Sequence, residues 1–182
     1  MNNRVLEKYT HLRPFLKKGD IVLFRGNRIL AKIIQNCDSS YFNHTGVIIE
    51  CSKALGICDA NGGGVQWDRL SWRMRKYVDF CVLRPLASEK EVETQLELLL
   101  KRSDDKWLKY DFLNGLKGLI NRKLKKSIFT IKPLSNKFIC STEISNYAIS
   151  LGMVTEEFSN IVLPFPEDYA RYCNRQNTQI IN

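Results

Sequence analysis

His44-Thr45-Gly46-Val47-Ile48-Ile49-Glu50 and Leu55-Gly56-Ile57-Cys58-Asp59-Ala60 are two short apolar runs separated by a break at residues 51–54. β-branched and aliphatic residues dominate both, and the interval has the length of a short turn, so the pair reads as an antiparallel hairpin. Upstream, Lys18-Gly19-Asp20 is a turn signal, and Ile21-Val22-Leu23-Phe24, bounded by Gly26, is a compact run suited to a buried strand. Residues 1–17 form a helical lead-in, with Val5, Leu6, Tyr9 and Leu12 on one face and Pro14 as its stop. Asn27 is placed to cap a helix reaching about Asn36, with Ile29, Leu30, Ile33 and Ile34 on one side. A polar loop at 37–43 then leads into the hairpin.

Downstream, Asn61-Gly62-Gly63-Gly64 is a tight bend; it matches neither phosphate-loop pattern that glycine-rich segments suggest. Val65-Gln66-Trp67 resumes a short strand, a turn of helix follows at 68–72, and residues 77–83 form a further strand closed by Arg84-Pro85. Ser88 with Glu91 makes a capping box for a helix whose apolar stripe is Val92, Leu96, Leu99 and Leu100. Residues 103–136 lack strand alternation and read as a lid or flanking insertion containing an apolar-basic segment at 113–126. Phe138-Ile139 lead into Cys140-Ser141-Thr142-Glu143, after which Ile144, Tyr147, Ala148 and Leu151 recur at helical spacing until Gly152. The length suits one domain with one core, spanning residues 1–182.

With 182 residues, 44% of them apolar, the chain can bury a core without disulfides or a structural metal. No stretch reaches the roughly 18 apolar residues of a spanning helix. The polar start, Met1-Asn2-Asn3-Arg4, lacks the apolar run of a secretory signal, so a cytoplasmic protein with reduced cysteines is expected. None of the six cysteines forms a C-x-x-C pair, and there are only two histidines. A Cys/His metal site would need scattered ligands, which argues against zinc, and no cofactor is implied. The net charge of +9 favours an anionic partner.

Two residues stand out chemically. Cys140 opens a helix, where unpaired N–H groups and the helix dipole favour a thiolate and can hold an oxyanion. His44 opens a strand after a polar loop, so its ring can face a cleft, whereas His11 sits in the polar lead-in. An imidazole beside such a thiol is a general base. Equally, Cys140 could be a small residue at a helix start and His44 a backbone-bonded core histidine. Of the acids near His44, Glu50 shares its face but lies six residues along, roughly 20 Å away. Asp59, on the neighbouring strand, comes closer; its carboxylate is expected to accept the imidazole Nδ1–H and leave Nε2 towards Cys140.

The ordered set Lys18-Gly19-Asp20-Ile21-Val22-Leu23-Phe24, His44-Thr45-Gly46-Val47, Asp59-Ala60, Tyr110-Asp111 and Phe138-Ile139-Cys140-Ser141 resembles the circularly permuted papain-like cysteine hydrolases. Within them it is similar to the YiiX/YebB-like branch of the NlpC superfamily, in which the histidine strand precedes the cysteine helix. The resemblance implies an α+β fold, a small antiparallel barrel-like sheet packed against helices, with cysteine, histidine and an acid at their junction. It implies thiol attack on an amide or ester through an acyl-thioester, with Cys140 as nucleophile, His44 as base and Asp59 as the third group. Glu50, Tyr110 and Ser141 are candidate supporting residues. Asp59 stands where relatives carry glutamate before alanine, and Thr142 displaces Glu143 by one place from the commoner cysteine-serine-glutamate.

The implied substrate is a peptide, lipid or cell-wall-derived amide or ester, and an acyltransferase using the same thiol is an alternative. A different class of reading is a catalytically inactive basic module for an anionic membrane surface or polymer. Its support is the segment 117–126, where Lys117, Arg122, Lys123, Lys125 and Lys126 alternate with Leu116, Leu119, Ile120 and Leu124. Aromatics are not interleaved with these cations, so nucleic acid is the weakest fit.

Overall fold

The computed structural model describes residues 3–51, 54–61, 64–103, 109–110, 112–131, 137–138 and 140–182. α1 (Asn3–Leu12) runs into a single 3-10 turn at Arg13–Phe15, then β1 (Ile21–Arg25), α2 (Ile29–Asp38), β2 (His44–Cys51), β3 (Ala54–Asn61) and β4 (Gly64–Arg69) follow. α3 (Leu70–Met74), β5 (Asp79–Pro85), α4 (Glu89–Ser103), β6 (Lys109–Tyr110), α5 (Phe112–Leu124) and β7 (Lys137–Phe138) come next. The chain closes with α6 (Cys140–Ser150), α7 (Glu156–Ser159), α8 (Pro166–Arg171) and β8 (Thr178–Ile181). The expected bend at Gly62-Gly63 and the Asp111 of the Tyr-Asp pair lie outside the described residues, as do parts of the expected lid.

Six strands form one sheet in the order β4-β3-β2-β1-β5-β8, every pairing antiparallel. β1 sits inside the sheet, and Ile21, Val22, Leu23 and Phe24 are all fully buried, which is why this run shows no alternation. Ile21 and Leu23 turn with Val47, Ile49 and Cys58 to the face covered by α4 and α6, through Val92, Leu96, Ile144, Tyr147 and Leu151. Val22 and Phe24 turn with Ile48 and Ile57 to the opposite face, covered by α1 and α3 through Val5, Tyr9, Leu70 and Met74. β6 and β7 form a separate parallel pair, Tyr110 opposite Phe138.

The expected barrel-like closure is corrected: the sheet is open, with β4 and β8 at its two edges rather than paired to each other. Helices on both faces already bury the strands' side chains, so curling into a barrel is not needed to make a core. α2 begins two residues after Asn27; Arg28 occupies its N-cap and no side chain caps it. It also extends to Asp38, so Cys37 is helical rather than in a loop. β4 outruns the expected short strand and delays α3 to Leu70, since the antiparallel ladder continues to Gly56 opposite Arg69. The capping box at Ser88 is present: its N–H donates to Glu91 Oε2 (2.9 Å) and its Oγ accepts from the Glu91 N–H (3.3 Å). Gly152, at φ 63°, ends the α6 run in the left-handed region that a side chain would resist.

Candidate active site

His44 is the first residue of β2 and pairs with Phe24 of β1, so both rings project to the α1/α3 face. There the imidazole stacks on Tyr77 with ring centroids 5.8 Å apart and an interplanar angle of 10°. Asp59 of β3 stands opposite Gly46, two residues along from His44 and on the same face. That diagonal spacing is wide for short side chains, and the more distant ring nitrogen spans it: His44 Nε2 lies 2.9 Å from Asp59 Oδ2. The contact expected through Nδ1 is thereby corrected. The shorter aspartate nevertheless reaches the ring.

Arg73 completes the group. Its Nη2 donates to the other carboxylate oxygen, Asp59 Oδ1, at 2.8 Å. The Asp59 side chain is fully buried, with Arg73 at 6% and His44 at 12% exposure, so carboxylate and guanidinium meet with little water between them. Sequence reasoning missed Arg73. The available signal was its place on the buried face of α3: Leu70, Arg73 and Met74 fall at i, i+3 and i+4, and a cation on an apolar face requires a buried carboxylate.

Cys140 is the first residue of α6, where the backbone supplies the N–H groups of a helix start. Its side chain, with those of Tyr110 and Glu143, lies outside what the structure describes. Because α6 packs on the Val47/Ile49 face, His44 and the body of α6 lie on opposite faces of the sheet. The β2–β3 ladder starts at Gly46 opposite Asp59; Ala60 and Asn61 pair with β4, and His44 and Thr45 with β1.

The other supporting candidates lie elsewhere. Ser141 is buried and its Oγ donates to the Pro164 carbonyl, while Tyr169 Oη donates to the Ser141 carbonyl; this serine anchors the helix. Tyr110 belongs to the β6–β7 pair two residues before the start of α5. Glu50 lies at the far end of β2, on a cleft of about 660 Å³ shared with Arg13, Lys18, Arg84 and Glu89, away from His44.

No protein-family profile and no curated protein matches the sequence. Among solved structures the chain is similar to the metalloprotein YiiX of Escherichia coli O157:H7, at 18% identity over 91% of this chain and 96% of that one, with a TM-score of 0.59. At that identity the likeness is one of fold: the chain has the α+β architecture of YiiX, the branch its sequence resembles, built here on an open six-stranded sheet.

Proposed function

We propose that the chain is a cysteine hydrolase acting on an amide or ester, with Cys140 as nucleophile, His44 as base and Asp59 as the residue that orients it. The observation carrying this reading is the chain of contacts from His44 Nε2 through Asp59 to Arg73. An Nε2–H donated to Asp59 fixes the tautomer and makes Nδ1 the nitrogen that takes the thiol proton. The thiolate attacks the carbonyl carbon, forming a C–S bond, and the N–H groups at the start of α6 stabilise the oxyanion. The imidazolium returns the proton to the departing nitrogen or oxygen as that bond breaks. Water, giving its proton to His44, then hydrolyses the thioester and releases the acid. Arg73 holds the Asp59 carboxylate and touches no reacting atom; it is a positioning residue.

A metal centre of the kind named for YiiX does not fit these residues. Both Asp59 oxygens are taken by His44 and a guanidinium, and among the described residues no group of three His, Cys, Asp or Glu side chains gathers as a metal would require.

The position of His44 on the face opposite α6 favours a second reading, in which the His44–Asp59–Arg73 group is a structural network and the chain is a binding module. Labelling with acyl electrophiles followed by mapping separates the two. The hydrolase reading expects Cys140 to be modified first among the six cysteines, with labelling slowed at least tenfold in His44→Gln. Equal reactivity of Cys140 in the wild type and His44→Gln would refute it and leave the structural network.

A further inference from the structure

A surface helix of a soluble domain normally turns its apolar stripe inward. α2 and α5 do the reverse. In α2 only Ala31 and Asp38 are buried, while Ile29 is 81% exposed and Leu30 and Ile33 also face outward. In α5 the inward positions are Asn114, Gly118 and Leu119, while Leu113, at 61% exposure, Leu116 and Leu124 face outward. The two helices pack against each other, Ile34 and Cys37 of one sharing a buried cluster with Leu119 of the other. Arg122 Nη1 donates to Asp38 at 2.7 Å and Lys123 Nζ to the Asn36 carbonyl at 3.3 Å, so the two helices are tied side by side at the surface.

The charge on this surface has one sign. Arg28 and Lys32 flank the apolar side chains of α2, and Lys123, Lys125 and Lys126 those of α5, all exposed. Residues 112–131 contain no acid, and the single acid of 28–38 is Asp38, buried against Arg122. Aliphatic side chains ringed by long cations match the boundary of an anionic bilayer, with the aliphatics among the acyl chains and the lysines reaching out to the phosphates. A second copy of the chain would set these cations against their own kind. No helix among the described residues is long and apolar enough to cross a membrane, so the contact would lie in the plane of the surface.

We infer that α2 and α5 together form a membrane-docking face for anionic lipid. This inference is independent of the catalytic reading, so Cys140→Ala should bind as the wild type does. The test is sedimentation of the full chain with phosphatidylcholine vesicles, with and without phosphatidylserine. Binding is expected only to the vesicles containing phosphatidylserine, weakening as salt rises from about 0.1 to 0.5 M. The Ile29→Gln/Ile33→Gln/Leu116→Gln variant should lose at least tenfold in partitioning with its melting temperature preserved, since all three side chains are exposed. Leu98→Gln, which alters an exposed leucine of α4, should bind normally. Absence of binding to phosphatidylserine vesicles, or an equal loss in Leu98→Gln, would overturn the inference. So would a concentration-dependent dimer that the triple variant abolishes, which would assign the face to a second copy.

Discussion

At the scale of single residues, Asp59 has two obligations, and they determine how it should be tested. As the partner of His44 it can be replaced by asparagine to probe turnover, but asparagine also leaves the buried guanidinium of Arg73 without its counter-charge. Breaking such a pair from one side costs about 3–5 kcal/mol. Asp59→Asn should therefore lower both the melting temperature and turnover. Asp59→Asn with Arg73→Met should recover most of the stability while turnover stays low, whereas Glu50→Gln should change neither. Thermal scans beside a turnover assay decide it; full activity in the stable double variant would remove Asp59 from the mechanism. Asp59 was legible in the sequence because an acid within an apolar strand run needs a reason. The nitrogen it binds was not, because that depends on the diagonal register opposite Gly46.

Among the elements, the hairpin shows how little room a register can leave. A Cβ added at Gly46 would stand 2.8 Å from Ile57 Cγ1 and 3.0 Å from the Cys58 carbonyl oxygen, and the backbone oxygen cannot move aside without disturbing the ladder. Gly46→Ala should cost about 1–3 kcal/mol through overpacking. Differential scanning calorimetry should show a lower melting temperature, and an unchanged one would mean the strands relax more easily than their pairing implies. The hairpin itself was readable from its two apolar runs, as was α4 from its capping box. The outward turn of α2 was not readable: Ile29, Leu30, Ile33 and Ile34 have the same spacing whether the stripe meets a core or a bilayer, and periodicity carries no sign. The extension of β4 was hidden because Asp68 and Arg69 gain their place from pairing with Ile57 and Gly56 of β3, a contact no local propensity encodes.

For the molecule as a whole, burial holds two of the thiols back from ionising. Desolvation pushes the Cys81 thiol up from an ordinary 9.0 to about 11, and burial likewise raises Cys173. A raised pKa in the folded state means that Cys81 supports folding fully below pH 9 and that this support is lost as pH climbs through 11. Native protein treated with iodoacetamide at pH 9 should retain an unmodified Cys81, and urea should expose it. Rapid native alkylation of Cys81 would show that its strand opens. The open sheet belongs to this scale too: the sequence resemblance implied a barrel-like form, and closure depends on which edges meet, a property no local pattern encodes.

The pairing of β5 with β8 joins Val82 to Ile181, residues about a hundred positions apart, whereas β2, β3 and β4 pair with their immediate neighbours in sequence. During synthesis the hairpin ladder can assemble as it leaves the ribosome, but β5 waits with one rim of amides and carbonyls unpaired until residues 178–181 emerge. A nascent chain stalled before that point presents an open β edge, and this is where a chaperone, or another unfinished chain, would find its grip.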